Sequence, residues 1–164
     1  MLWVIRAGKK DRYIEKFISD NKIYMPWDGF AEPLTECRNR EDYRKLVAVE
    51  MQVTNTTSIS NWSGQLYSFV HDLKIGDYIV VPVSISKTYC LGIITGEYSF
   101  DKDNTLHHCR TVKFIEKEIP KDIFSQKIKY SLAAYRTLFK LRDEEEFNIC
   151  VKEWKEGKAN ETTI

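Results

Sequence analysis

The sequence predicts an α+β fold, a small mixed and largely antiparallel β-barrel capped by helices. Three observations lead there. Short apolar runs bounded by Gly, Pro and Asp alternate with segments whose apolar residues recur at helical spacing. Three strand-like runs follow one another between residues 78 and 119 with short breaks, which suits antiparallel pairing. The glycine patterns of doubly wound sheets, G-x-G-x-x-G and G-x-x-x-x-G-K-[ST], are absent. At 164 residues, 43% of them hydrophobic, the chain is long enough to bury one core.

"LWVIRA" (2–7) reads as a first strand, ended by Gly8. "KKDRYIEKFISDN" puts Tyr13, Ile14, Phe17 and Ile18 on one helical face, and "KIYMPW" (22–27) is a second strand that Pro26 breaks before the turn "DGF". In "NREDYRKLVAVEM", Asn39 is an N-cap, with Tyr43, Leu46 and Val47 on one side. "TNTTSIS" is a polar linker. "NWSGQLYSFVHDL" then supplies a third helix with Ile59, just before it, and Trp62, Leu66, Phe69, Val70 and Leu73 as its apolar set and Asn61 at its start. Gly76-Asp77 turns into "YIVVPV". "TYCLGIITGEYSF" (88–100) is a strand bent at Gly92 and Gly96, and "CRTVKFIEKEI" alternates. "SQKIKYSLAAYR" is helical with Ser125 as its cap, and "TLFKL" closes the domain as a last short strand. The domain thus spans 1–141, with 142–164 an acidic helical or disordered tail.

Composition excludes several classes of function. No apolar run approaches the ~18 residues of a membrane span, and the start lacks the charge order of a signal peptide. The four cysteines (Cys37, Cys90, Cys109, Cys150) form no CxxC pair, against both a zinc cage and a disulfide framework; reduced thiols in a cytoplasmic protein are expected. A net charge of +1 does not suit a protein that coats nucleic acid. Its distribution is uneven, however. Residues 1–141 hold 21 basic and 17 acidic side chains, and the tail has a net charge of −3, which leaves room for a few phosphate contacts.

Catalytic patterns are sparse. His71, His107 and His108 match no ligand spacing, so neither metal nor cofactor is expected, and G-x-S-x-G and H-E-x-x-H are both missing. Glu153-Trp154-Lys155, with Asp143 upstream, copies the carboxylate and lysine set with which restriction-type nucleases hold metal and activate water. It falls in the acidic tail and not on a buried strand after a turn. The chain is therefore read as non-catalytic, with a nuclease subunit as the rival.

"WVIRAGK", "NW-GQLYSFV" followed by "GDYIVVP", then "LGIITGEY" and "RTVKF", resemble the N-terminal domain of Mrr-type restriction systems, which is related to the EVE and YTH modules of the PUA-like superfamily. The resemblance covers residues 2–141 in order, and "GQLYSFVHDLKIGDYIVVP" is its most specific part. It implies a reader of modified, methylated DNA that flips the base into an aromatic pocket and targets a restriction or defence system. By the same resemblance Trp27 is one pocket wall, and Tyr98 or Phe100 replaces the second. Asp28, Asn61 and Gln65 bond the base edge, with Trp62 at the rim as the more structural of these residues. Arg6, Lys9 and Lys10 reach flanking phosphates. The implied partners are modified DNA, with RNA as runner-up, and a nuclease or motor domain or subunit; the chain is then either a piece of a longer protein or a subunit. Stacking on an aromatic, about 1–3 kcal/mol per base, has to offset the few kcal/mol of unstacking.

Overall fold

The structure, a computed structural model, describes residues 1–27 and 30–162. Its elements run β1 (Leu2–Ile5), α1 (Ile14–Asp20), β2 (Lys22–Tyr24), α2 (Arg40–Glu50), α3 (Thr56–Tyr67), β3 (Tyr78–Val83), β4 (Thr88–Ile94), β5 (Ser99–Phe100), β6 (His108–Pro120), α4 (Gln126–Leu132), β7 (Leu138–Lys140) and α5 (Glu144–Thr162). The fold is mixed α+β. One sheet has the order β2-β6-β4-β3-β1-β7, with β5 added to β6. Every pairing is antiparallel except β1 with β3, whose connection carries α1, β2, α2 and α3. The sheet curls, but its path ends at β2 and β7, which do not pair with each other among the described residues. It is an open half-barrel where a barrel was expected. Both end strands are only three residues long, because Pro26 follows β2 closely and the chain turns into α5 just after β7.

Side-chain alternation gives the sheet two apolar faces. Trp3 and Ile5 of β1, with Ile79 and Val81 of β3, point toward Phe17, Tyr43, Val47 and Leu66 of α1, α2 and α3. Leu2, Val4 and Val80 point the other way, onto Ile128 and Leu132 of α4 and Phe147 and Val151 of α5. The segment 142–164 is thus helical from Glu144 onward, and its first turns help bury the second face.

The capping residues behave as expected. Asn39 accepts from the Asp42 N–H (2.9 Å) and Ser125 from the Ile128 N–H (3.3 Å). Three boundaries differ. "TNTTSIS" is no linker: Asn55 accepts from the Ser58 N–H (3.1 Å), so α3 begins at Thr56 and Asn61 lies inside it. Residues 88–100 split into β4 and β5, because Gly96 sits against β6, where a Cβ would collide with Thr111 Oγ1. The helix expected to reach Arg136 stops at Leu132, and 133–137 is a turn.

Arg110 joins the two ends of this arrangement. It lies on β6 at a position where the alternation calls for an apolar residue, and it is fully buried. After α3 the chain widens into a π turn, Ser68–Asp72, in which the Leu73 N–H reaches the Ser68 carbonyl (2.9 Å). Arg110 Nη1 donates to the Phe69 and Leu73 carbonyls (both 2.9 Å) and Nε to that of Gly96 (2.7 Å). The guanidinium therefore satisfies the negative end of α3 and ties it to the turn between β4 and β5. Burial lowers its pKa from the ordinary arginine value. Arg110→Met keeps much of the bulk but strands two buried carbonyls, Phe69 and Leu73, and the part-buried one of Gly96. Urea unfolding is expected to show a loss of about 2–5 kcal/mol; an unchanged midpoint would refute the capping role.

Candidate functional site

Three residues singled out in the sequence, Gln65, Trp27 and Arg6, converge on the turn between α4 and β7, and Asn61 joins them through Gln65. Gln65, buried on α3, accepts at Oε1 from the N–H groups of Thr137 and Leu138 (both 3.0 Å), and its Nε2 donates to Asn61 Oδ1 (3.3 Å). Trp27 Nε1 donates to Thr137 Oγ1 (3.2 Å). Arg6 donates through Nε (3.2 Å) and Nη2 (2.8 Å) to the Ala134 carbonyl, and its backbone N–H bonds the Thr137 carbonyl (2.8 Å). The half-buried rings of Trp27 and Trp62 meet at 6.5 Å between centroids, tilted by 52°. Trp27, Asn61, Trp62 and Gln65 thus form one group. Gln65 is the brace in it, not a surface residue.

Beside this group runs an open groove of about 2230 Å³ between α3 and the segment 131–144. Six cationic side chains line it: Arg40, Arg44, Lys127, Arg136, Lys140 and Arg142. The acidic side chains that line it, Asp143 and Glu144, face Lys127 (3.3 Å) and the Met1 amine (3.7 Å) respectively. Arg40 is held over the Tyr67 ring at 4.2 Å. Tyr135 lines the groove with its side chain wholly exposed. A net charge of +1 had hidden this concentration, because the cations come from α2, α4, β7 and the turns beside it. Exposed Tyr135-Arg136 in "AAYRT" was the available signal, masked by reading that stretch as helix.

The other expected site residues lie elsewhere or are otherwise engaged. Tyr98 and Phe100 belong to a cluster around His108, with Tyr98 stacked on the imidazole (5.9 Å, 19°) and Phe100 tilted to it (5.5 Å). His108 Nε2 lies 2.8 Å from the Phe30 carbonyl and so carries the proton; Nδ1 then accepts from Tyr98 O–H (2.7 Å), and that oxygen accepts from the Leu34 N–H (3.1 Å). This chain of bonds ties the backbone at Phe30 and Leu34 to β6 and to Tyr98 beside β5. Burial raises the Tyr98 hydroxyl to about 12 and lowers the imidazole to about 4. Lys9 and Lys10 are exposed on a 3₁₀ turn and, like Arg6, do not line the groove. Asp28 lies outside the described residues.

Little supports the nuclease triplet. Lys155 pairs with Glu116 (3.1 Å), Trp154 packs on the second core, and Asp143 pairs with Lys127. Among the described residues no group of three or more His, Cys, Asp or Glu side chains is placed to hold a metal ion. No helix there is long and apolar enough to cross a membrane.

Fold and site together define a mixed α+β half-barrel domain with a basic groove beside paired tryptophans. Residues 3–142, from β1 through β7, match the model of a domain of unknown function, DUF8426, and the chain belongs to that family. No curated protein matches it.

Two outcomes test the bracing. Gln65→Leu leaves two buried N–H groups without an acceptor and is expected to destabilise the fold by about 2 kcal/mol, whereas Gln65→Glu, which keeps the acceptor, loses less. For His108, the folded pKa of about 4 lies below the ordinary 6.5, so the unfolded chain binds more protons between these values. Stability is therefore highest above pH 6.5 and falls as the pH drops toward 4, by about 3 kcal/mol in all. Denaturation across this range should show the slope, and His108→Gln should flatten it.

Proposed function

We propose that the domain is a non-catalytic reader of modified DNA, and that a base turned out of its strand is held on Trp27. The observation that carries the reading is the junction of the tryptophan pair with the basic groove. Trp27 bonds Thr137, whose neighbours Arg136 and Leu138 line the groove, so base and phosphate contacts adjoin. A sandwich between Trp27 and Trp62 would need near-parallel rings about twice the ~3.4 Å stacking rise apart. Their 52° tilt favours a base lying on the face of one ring, with Asn61, exposed on α3 beside Trp62, as a hydrogen-bonding side chain for its edge. One stacked face contributes about 1–3 kcal/mol, so extrusion is offset only with help from groove phosphates.

The curled, largely antiparallel sheet capped by helices supports assignment to the PUA-like superfamily, and the resemblance to the N-terminal domain of Mrr-type restriction systems supports DNA as the ligand. In that setting the domain delivers a nuclease or motor, on the same or another chain, to modified sites. One feature favours a second reading, RNA bound as a single strand: the exposed Tyr135 and Tyr130 on and after α4 are stacking surfaces of the kind single strands use.

Fluorescence anisotropy with a short duplex, bare or carrying N6-methyladenine, 5-methylcytosine or 5-hydroxymethylcytosine, and with single-stranded RNA of the same sequence, decides between them. Tighter binding to one modified duplex, weakened about tenfold or more in a folded Trp27→Ala, is expected. Equal binding to all duplexes, or none, would overturn the modified-DNA reading; preference for the single strand would favour RNA.

A further inference from the structure

The floor of the groove has features that neither packing nor the base contact accounts for. Trp3 lines the groove, is more than nine-tenths buried, and has an indole Nε1 with no acceptor. An indole N–H shut away from water normally finds a partner. In the register of β1 with β7, Trp3 lies directly opposite Lys140, and opposed residues of an antiparallel pair share a face. Trp3 and Lys140 therefore stand side by side, and both residues line the groove, the indole N–H itself being shut away from solvent.

Gly64 lines the same groove from inside α3. Glycine in a helix interior costs stability relative to alanine, and a tight neighbour usually explains it. Here nothing lies within 4 Å of where a Cβ would stand, so packing does not demand the glycine. Its effect is to leave the flank of α3 open, with Ser60 and Ser68 one turn away on either side. Arg40 and Arg44 close the groove from α2, and Arg136 lines it from the far wall. A lysine and three arginines, of which Arg44 also pairs with Glu41 (3.5 Å), around an open helix flank suit an oxygen-rich anion narrow enough to pass Gly64.

We infer that the floor of the groove is a phosphodiester subsite, in which Lys140 holds a backbone phosphate of the bound strand beneath Gly64, with Trp3 as its immediate neighbour. It rests on the nucleic-acid reading above and adds the track of the strand. Gly64 is the gate: a long side chain there obstructs the strand without disturbing the core.

The test has two readouts. The first follows the four tryptophan indole N–H resonances, assigned by single Trp→Phe variants, as the tightest-binding of the duplexes above or inorganic phosphate is added. The Trp3 resonance is expected to move with the duplex. Movement with phosphate and not with the duplex would make this a free-phosphate site and overturn the strand assignment. Movement of Trp27 and Trp62 alone would overturn the subsite and leave the reader intact. If no oligonucleotide binds, both fall. The second compares Gly64→Met with Gly157→Met, a helical glycine on α5 that also has nothing within 4 Å. Gly64→Met should melt at or above the wild-type temperature yet bind the duplex about tenfold more weakly, and Lys140→Ala should do the same while making the salt dependence shallower by about one phosphate. Gly157→Met should bind as wild type does. Undiminished binding by both Gly64→Met and Lys140→Ala would overturn the subsite.

Discussion

One acceptor organises the site. Gln65 Oε1 takes the two N–H groups that open β7, joining α3 to the far edge strand of the sheet. Without it, a turn and a three-residue strand would hang on few backbone bonds. With it, the turn 133–137 becomes a fixed platform to which Arg6 and Trp27 also attach, through Ala134 and Thr137. Each attachment comes from a different part of the chain, and each consumes a polar group that would otherwise face solvent or lie buried unpaired. The groove is the space this platform leaves against α3.

α3 must itself be held for this to work, and Arg110 does so from the π turn that follows it. A guanidinium buried without a carboxylate in contact is costly. Here it is tolerated because three carbonyls, two of them from the π turn after α3, converge on it. The π turn is the local irregularity that aims those carbonyls inward. The hydrogen bonds through Tyr98 and His108 hold the backbone at Phe30 and Leu34. Trp27 is positioned by its bond to Thr137 and by its contact with Trp62. A stacking surface requires a ring set at a fixed angle, and Trp27 is held so while only half-buried.

Much of this was legible in the sequence. Helical periodicity located the cores of α1, α2 and α4, the caps Asn39 and Ser125 were read correctly, and "YIVVPV" and "CRTVKFIEKEI" became β3 and β6. What misled was composition standing in for position. "TNTTSIS" is polar and so resembled a linker, yet Asn55 caps a helix whose polar face borders a groove. "SLAAYRT" has good helix formers, but Arg6 and Gln65 claim its backbone groups and turn it away. Those partners are some 70 to 130 residues distant in sequence. The family resemblance named Trp27, Asn61, Trp62 and Gln65 together, and the fold brings these four side chains into one group. The basic groove did not, since its cations are brought together only by the packing of α2, α4 and β7. Tyr98 shows the converse: a sequence suggests an aromatic wall, but only the fold reveals that its hydroxyl is already engaged twice.

The central claim is that the groove carries a nucleic-acid strand while Trp27 receives a base taken out of it. A crystal structure of the full chain with a short duplex bearing the preferred modification tests this most directly. The account predicts the modified base outside the helical stack, lying on the indole of Trp27, with the adjoining backbone running past Gly64 toward Lys140. A complex in which the base stays stacked in the duplex, or in which the DNA lies on another face and leaves the groove empty, would contradict it.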